Sequence, residues 1–330
     1  MVGRVQRIAT MVDARCSGSR PRGCGPAGRL GVLSVVCLAL VLPGCSIKRM
    51  AIKTVADSLS EGTSSFATDD DPELIKEALP FGLKTLEGLL AQLPTHRPLL
   101  RSVAVGFTSS SAGFIRSDIR GLEDVDLDRA REQKVRARRM FIRARDYGLR
   151  ALEVAHPNLR QNLMQDPKAA LAKTKKTDVP DLYWTAAAWG SAISLGKDQM
   201  DVVADVPIVD AMIHRALELD EPWDAGSLTE FMIAFESRGD AQGGSLDRAR
   251  TYFNRTMELA QGKRISPLVS LAENVSITTQ NRAEFEKLLD EALAFDCDKY
   301  PETRLVNLLA QKRARQLEAL AGSLFLEEKS

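Results

Sequence analysis

Cysteine is scarce where it could matter. The chain has five cysteines, and only Cys297 lies beyond Cys45. An internal disulfide after that point is therefore excluded, and the fold rests on its core alone. Histidine is scarcer, at three residues: His96, His156 and His214. They sit in separate segments, without a second histidine or a cysteine at ligand spacing, so no metal site is expected. Each is read as structural or solvated: His96 and His156 beside prolines in turns, and His214 on a helix beside Ile213 and Leu217, at the boundary between core and surface. Neither charge sign dominates. Beyond residue 45 the chain carries 39 Lys+Arg against 43 Asp+Glu, a formal net charge of −4. That balance excludes nucleic-acid binding by electrostatics. Aromatics make up 5% of residues. No apolar run reaches the roughly 20 residues of a membrane-spanning helix. Alternating strand patterns are missing too; Asp201–Val206 is the one candidate, and a short helix explains it as well.

Catalytic signatures are equally wanting. There is no glycine-rich phosphate loop, no Gly-x-Ser-x-Gly elbow and no His-Glu-x-x-His pair. Cys297 lies between Asp296 and Asp298. Nearby negative charge disfavours a thiolate, so it is a poor nucleophile. The chain is not expected to be an enzyme, and no cofactor is implied.

What is present begins at the N-terminus. Arg4, Arg7, Arg15, Arg20, Arg22 and Arg29 precede an apolar stretch from Leu30 to Leu42, followed by Pro43-Gly44-Cys45. A basic region, a short apolar core and a small residue before cysteine form an export signal. This arrangement resembles a bacterial lipoprotein lipobox. The resemblance implies that residues 1–44 are removed and that Cys45 is the acylated N-terminus. Two or more acyl chains suffice for stable membrane attachment. An ordinary signal peptide with an incidental cysteine is the alternative. Ser46 after the cysteine, rather than aspartate, favours the outer membrane facing the periplasm by the same analogy.

Residues 45–69 read as a lipidated tether with a short helix. Residues 70–330 read as all-α. Asp71-Pro72-Glu73 supplies an N-cap oxygen, a proline at the first helical position and an acid at the positive helix end. Pro80 within the following pattern predicts a kink. A helix is expected from about Pro98 to Arg120, with a small-residue centre at Ser109–Gly113. A long basic helix covers about Leu127 to Ala155. Its arginines suit either lipid headgroups or an acidic partner, or a solvated face whose stems cover apolar surface; the second reading is preferred. Later helix starts fall near Pro207, Leu246 and Arg282, spaced 39 and 36 residues apart. Each is followed by a turn and a second helix. Helix pairs near this period predict a tetratricopeptide-like (TPR-like) solenoid, in which stacking buries the stripe that one pair leaves exposed.

The best site candidate is the helix around Tyr183-Trp184-Thr185-Ala186-Ala187-Ala188-Trp189-Gly190, with two of the three tryptophans. Large aromatics beside Ala188 and Gly190 make a groove, open to a ligand or filled by another helix. Phe107, Glu230 and Phe231 are further candidates for the same lining. Core packing is the alternative for all of them.

These segments together resemble a known family. The stretches are Asp70-Asp71-Pro72-Glu73-Leu74 with Ala78-Leu79-Pro80-Phe81, Arg143 through Leu149, Asp178-Val179-Pro180 through Leu195, Arg215 through Asp220, and Pro301 through Leu305 with Asn307 through Gln311. The chain resembles the T component of tripartite ATP-independent periplasmic (TRAP) transporters, the TatT family. The resemblance implies a lipoprotein of TPR-like helices that self-associates, as a trimer. It implies docking to the transporter's periplasmic solute-binding protein, and a cleft that passes it a small, hydrophobic ligand. A general envelope scaffold is the alternative.

Replacing Cys45 by serine is expected to abolish acyl incorporation in cells fed labelled palmitate. Labelling that survives the substitution would remove the anchor assignment.

Overall fold

The computed structural model describes residues 44–61, 64–123, 125–196 and 204–326. The basic and apolar leader read over residues 1–43 lies outside them, as do residues 201–203 of the Asp201–Val206 strand candidate, whose last residue, Val206, begins a helix. Every regular element among the described residues is helical, which makes the chain all-α. Residues 51–330 form one compact unit; residues 1–50 form a second, of which only 44–50 are described.

Helix α1 spans Gly44–Glu61, and the single turn α2 spans Ser64–Ala67. Helix therefore extends further through this segment than a tether with one short helix. Ile52 and Ala56 of α1 pack into an apolar cluster with Leu83, Leu90, Leu99 and Leu100. A polar latch backs that packing, because His96 Nε2 lies 2.8 Å from Asp57 Oδ1. Helix α3, Pro72–Gln92, starts as its sequence directs: Asp71 accepts the Glu73 and Leu74 N–H groups, and the helix runs on past Pro80. Helix α4, Arg97–Ser110, is capped by His96, whose Nδ1 accepts the Leu99 N–H. His96 is thus not a solvated turn residue. Its side chain is 9% exposed, and both ring nitrogens are engaged.

The helix expected over 98–120 is interrupted. A wide π turn at Ser111–Ile115 separates α4 from α5, Arg116–Glu123. The small residues here admit close neighbours. A Cβ on Gly106 would lie 2.5 Å from Leu83, and one on Gly113 would lie 3.1 Å from Leu309. Helix α6, Leu127–Ala155, buries Ala137, Phe141, Ala144, Gly148 and Leu152 between α4 and the helix described next but two. Several of its arginines act within the chain: Arg143 pairs with Glu87, Arg145 with Asp146, and Arg150 donates to the Pro94 carbonyl. Those contacts fit the preferred reading of a face that packs along its stems.

After α7, Leu159–Gln165, and α8, Pro167–Leu171, comes α9, Val179–Ser194. Its start carries a buried ionic network. Arg101 donates twice to Asp181, at 2.5 and 2.9 Å. Arg97 spans both acids, at 2.7 Å to Asp181 and 2.5 Å to Asp178. His156 Nε2 sits 2.9 Å from Asp178, so this histidine too is an internal partner rather than a solvated one. Burial pushes the Asp178 carboxyl up; the Lys175 N–H, His156 and Arg97 override it and hold the carboxyl below its ordinary range.

The remaining helices come in pairs: α10, Val206–Asp220, with α11, Ser227–Glu236; α12, Leu246–Ala260, with α13, Ser266–Leu271, extended by a π turn at Ala272–Ser276; and α14, Arg282–Leu293, with α15, Arg304–Ala319. A last turn, α16, spans Ala321–Leu324. The first helix of each pair starts within a residue of its expected place. Successive pairs are bridged by ion pairs: Arg255 to Glu221 and Arg250 to Glu284, each 34 residues apart, and Arg313 to Glu273, 40 apart. Two apolar clusters follow this order, one centred on α9–α11 and one on α12–α15. Helix α15 also reaches the N-terminal helices, through Lys312 to Glu73 at 2.7 Å and Gln316 with Ser117.

Asp181 is almost fully buried between two guanidinium groups. Removing one member of a buried ionic set leaves uncompensated charge, at a cost of about 3–5 kcal/mol. Asp181→Ala is therefore expected to lower unfolding free energy by about 3 kcal/mol in urea titration. A loss no larger than that of a surface substitution, about 0.5 kcal/mol, would show that the network does not hold α9.

Candidate functional site

Tyr183 and Trp184 lie one turn into α9, just past the ionic network, and both are half-buried. Their rings meet edge to face, with centroids 5.0 Å apart. Trp223, from the turn between α10 and α11, tilts against Tyr183 at 5.0 Å. Three aromatic rings from two segments thus share one place, and two of the three tryptophans are among them.

The turn that delivers Trp223 is strained. Asp224, Ala225 and Gly226 have φ values of 49°, 51° and 93°, all in the left-handed region. For residues with a Cβ this costs on the order of 1 kcal/mol each, and such strain concentrates at functional sites. Gly226 is required twice over, since a Cβ there would also sit 3.0 Å from Leu259. The turn is clamped from behind. Ser227 Oγ donates to Asp224 Oδ2 at 2.6 Å, Arg264 Nη2 donates to the same oxygen at 2.9 Å, and Arg264 Nη1 donates to Ser227 Oγ at 2.5 Å.

Glu230 stands one turn further along α11, within the field of Arg264 and Asp224. Burial pushes its carboxyl up, and Asp224 adds to this; Ser266 and Arg264 oppose it without cancelling it. Tyr183 is likewise pushed up, first by burial and then by Glu230 and Asp224. Arg264 stays firmly charged. Burial works against its charge, but Asp224 and Glu230 more than compensate. Ser266 Oγ faces the Glu230 carboxyl, which leaves Arg264 Nε as the buried polar atom of this cluster without a hydrogen-bond partner. Buried polar atoms of this kind cost about 1–3 kcal/mol each when left alone, so they ask for an explanation. Chemically, the arrangement can hold a small molecule by stacking and single hydrogen bonds. It has no nucleophile paired with a base.

Of the sequence candidates, Tyr183, Trp184 and Glu230 come together here. The others lie elsewhere. Trp189 is buried and donates from Nε1 to Asp205 at 3.0 Å, under the Arg145 guanidinium. Ala188 is buried in the α1–α3–α4 cluster. Phe107 is buried, lies parallel to Tyr147 at 6.3 Å and is covered by Arg143. Phe231 stacks on Phe235 and fills the groove beside Gly190, where a Cβ would be 3.2 Å from its ring. Cys45 falls in the first turn of α1, where the backbone alone is described. Cys297 is buried, and its thiol is pushed up by burial first and by Asp298 and Asp296 after it. A separate shallow groove of about 340 Å³ on α6 is lined by Arg139, Ile142, Arg143, Asp146, Tyr147 and Arg150.

Sequence reasoning missed Trp223, Asp224, Ser227, Arg264 and Ser266. The one available signal was the Pro222-Trp223-Asp224-Ala225-Gly226 run, a turn composition around a rare tryptophan. Nothing local marks Arg264, which is joined to Asp224 only by tertiary packing 40 residues away.

Comparison with known proteins places this site inside a shared domain. A family model described as TRAP transporter T-component matches residues 68–325. A Treponema pallidum (strain Nichols) protein, described as uncharacterized, is 28% identical over 316 residues, covering 89% of this chain and 98% of that protein.

Glu230 offers a stability test. Its folded carboxyl holds the proton more tightly than the unfolded chain does. Stability is therefore undiminished below the unfolded carboxylate pKa of about 4.3 and falls as pH rises through the folded value. Glu230→Gln is expected to raise the melting temperature at about pH 8 and to change it little near pH 4. An equal shift at both pH values would contradict a proton-holding Glu230.

Proposed function

Since the chain belongs to the TRAP transporter T-component family, we propose that it docks the periplasmic solute-binding protein of such a system and hands it a small ligand. The family match over residues 68–325 carries the accessory transport role. The finer steps are our reading. The lipobox-like Cys45 would anchor the protein at the outer membrane facing the periplasm, where a solute-binding protein can reach it. TPR-like stacking of the helix pairs would give an extended docking surface, and a homotrimer would present several copies of it. The Tyr183–Trp184–Trp223 cluster with Glu230 and Arg264 is the best place for the ligand: half-exposed aromatics and the unpartnered Arg264 Nε share it. A non-catalytic role fits both the family and a site without a nucleophile–base pair. No helix among the described residues is long and apolar enough to cross a membrane, so an attachment would come from the lipid.

Crosslinking of tagged protein in intact cells tests the docking step. A periplasmic solute-binding protein is expected as the dominant partner. Recovery of outer-membrane or cell-wall assembly proteins in its place would make the chain an envelope scaffold.

A further inference from the structure

The shallow groove on α6 gathers more positive charge than its own acids can match. Arg139, Arg143, Asp146 and Arg150 recur at intervals of four, three and four residues, which sets them along one face of the helix. With Ile142 and Tyr147 they line a space of about 340 Å³. That size falls at the lower end of small-molecule sites, about 300–1,000 Å³.

The nearby carboxylates are already shared. Asp146 meets both Arg145, at 3.0 Å, and Arg160, at 3.4 Å. Glu87 of α3 takes Lys84 at 2.7 Å, the Tyr147 hydroxyl at 2.7 Å, and Arg143. Burial pushes the Glu87 carboxyl up; Lys84, Tyr147 and Arg143 override it and hold the carboxyl below its ordinary range. Each of these two acids therefore answers two cations with one charge. Arg150 is paired with no acid: it donates to the Pro94 carbonyl at 3.1 Å and lies 5.2 Å from the centre of the Tyr147 ring. Arg139 is exposed, with no hydrogen bond or ion pair among the described residues. Glu153, the other acid between Arg139 and Ala155, accepts the Arg160 N–H at 3.2 Å. Three acids thus stand against Lys84 and five arginines, in a chain whose formal net charge beyond residue 45 is −4.

Packing fixes where Arg143, Arg145 and Arg150 lie, yet it leaves the surplus charge and the whole Arg139 fork open to the groove. Guanidinium groups along one stripe reach an anion from different directions. That suits the three terminal oxygens of a phosphomonoester better than a planar carboxylate, which a single fork satisfies. A phosphomonoester also carries about −1.5 to −2 charge near pH 7, a better match to the surplus than one negative charge.

We propose that the α6 groove formed by Arg139, Arg143 and Arg150 beside Tyr147 binds a phosphomonoester group. The anion takes the Arg139 fork and the remaining N–H groups of Arg143 and Arg150, and Ile142 and Tyr147 give it an apolar edge. This site is separate from the aromatic cluster and does not rest on the docking and hand-off reading. Two sources offer the group: a lipid headgroup of the phosphatidate kind, and a small free phosphate.

Isothermal titration calorimetry of the purified full chain, in phosphate-free buffer, tests the proposal with four probes. These are inorganic phosphate, dihexanoylphosphatidate below its micellar concentration, dihexanoylphosphatidylcholine with the same tails, and hexaglutamate. At least one phosphate probe is expected to bind roughly tenfold more tightly than phosphatidylcholine and hexaglutamate. Phosphatidate binding that exceeds that of inorganic phosphate by roughly tenfold identifies the lipid source, and equal or tighter binding of inorganic phosphate identifies the free one. Arg139→Gln should weaken the phosphate probe roughly tenfold. Arg131→Gln, the same change of charge about two turns earlier on α6, should leave it unchanged. Both side chains are exposed, and circular dichroism checks that each variant is folded. Failure of both phosphate probes to bind would overturn the proposal. So would equal binding of phosphatidylcholine, or equal effects of the two substitutions. Tighter binding of hexaglutamate would do the same and would assign the groove to an acidic protein segment.

Discussion

Two carboxylates at the start of α9, Asp178 and Asp181, are buried and held by Arg97 and Arg101 of α4 and by His156. Buried charge tolerates little displacement, because each lost partner leaves an ion in a poorly solvating interior. The network therefore fixes where α9 begins and how it is rotated. Tyr183 and Trp184 follow Asp181 by two and three residues, so their direction is set by the same constraint. On the opposite side Gly148 lets α6 approach until a Cβ would stand 2.2 Å from Thr185 Oγ1. α9 is thus pinned by charge at its start and by close packing a turn later.

Beyond α9, ion pairs join residues of neighbouring helix pairs: Arg255 with Glu221, Arg250 with Glu284 and Arg313 with Glu273. The aromatic cluster draws on three separate segments. α9 gives two rings, the turn before α11 gives the third ring and Asp224, and the segment before α13 gives Arg264 and Ser266. No single pair contains it. A site assembled this way depends on the stacking distance between pairs, and the strain at Asp224–Gly226 is held in place by the Arg264–Asp224–Ser227 clamp rather than by local preference.

That construction suits an accessory role in transport. A base aligned on a nucleophile has no counterpart in this cluster. The basic α6 helix, by contrast, directs several arginines inward, onto Glu87, Pro94 and the Phe107 and Trp189 rings. Packing fixes where those arginines lie.

By itself the sequence determined the all-α class, the N-cap at Asp71, the starts of the last three helix pairs and the family, because each is encoded in residues close along the chain: capping atoms, helical periodicity and contiguous motifs. It also placed Tyr183, Trp184 and Glu230 on candidate surfaces. Tertiary structure alone decided which aromatics face the site. Trp189, Ala188 and Phe107 have the same local character as Trp184 but turn into cores, since helical rotation relative to neighbours is a packing outcome. It also decided that His96 and His156 serve as internal hydrogen-bond partners, and that Arg264 meets Asp224. A hydrogen bond between residues 40 apart leaves no periodic or compositional trace, because the energy that forms it exists only once the intervening helices have stacked.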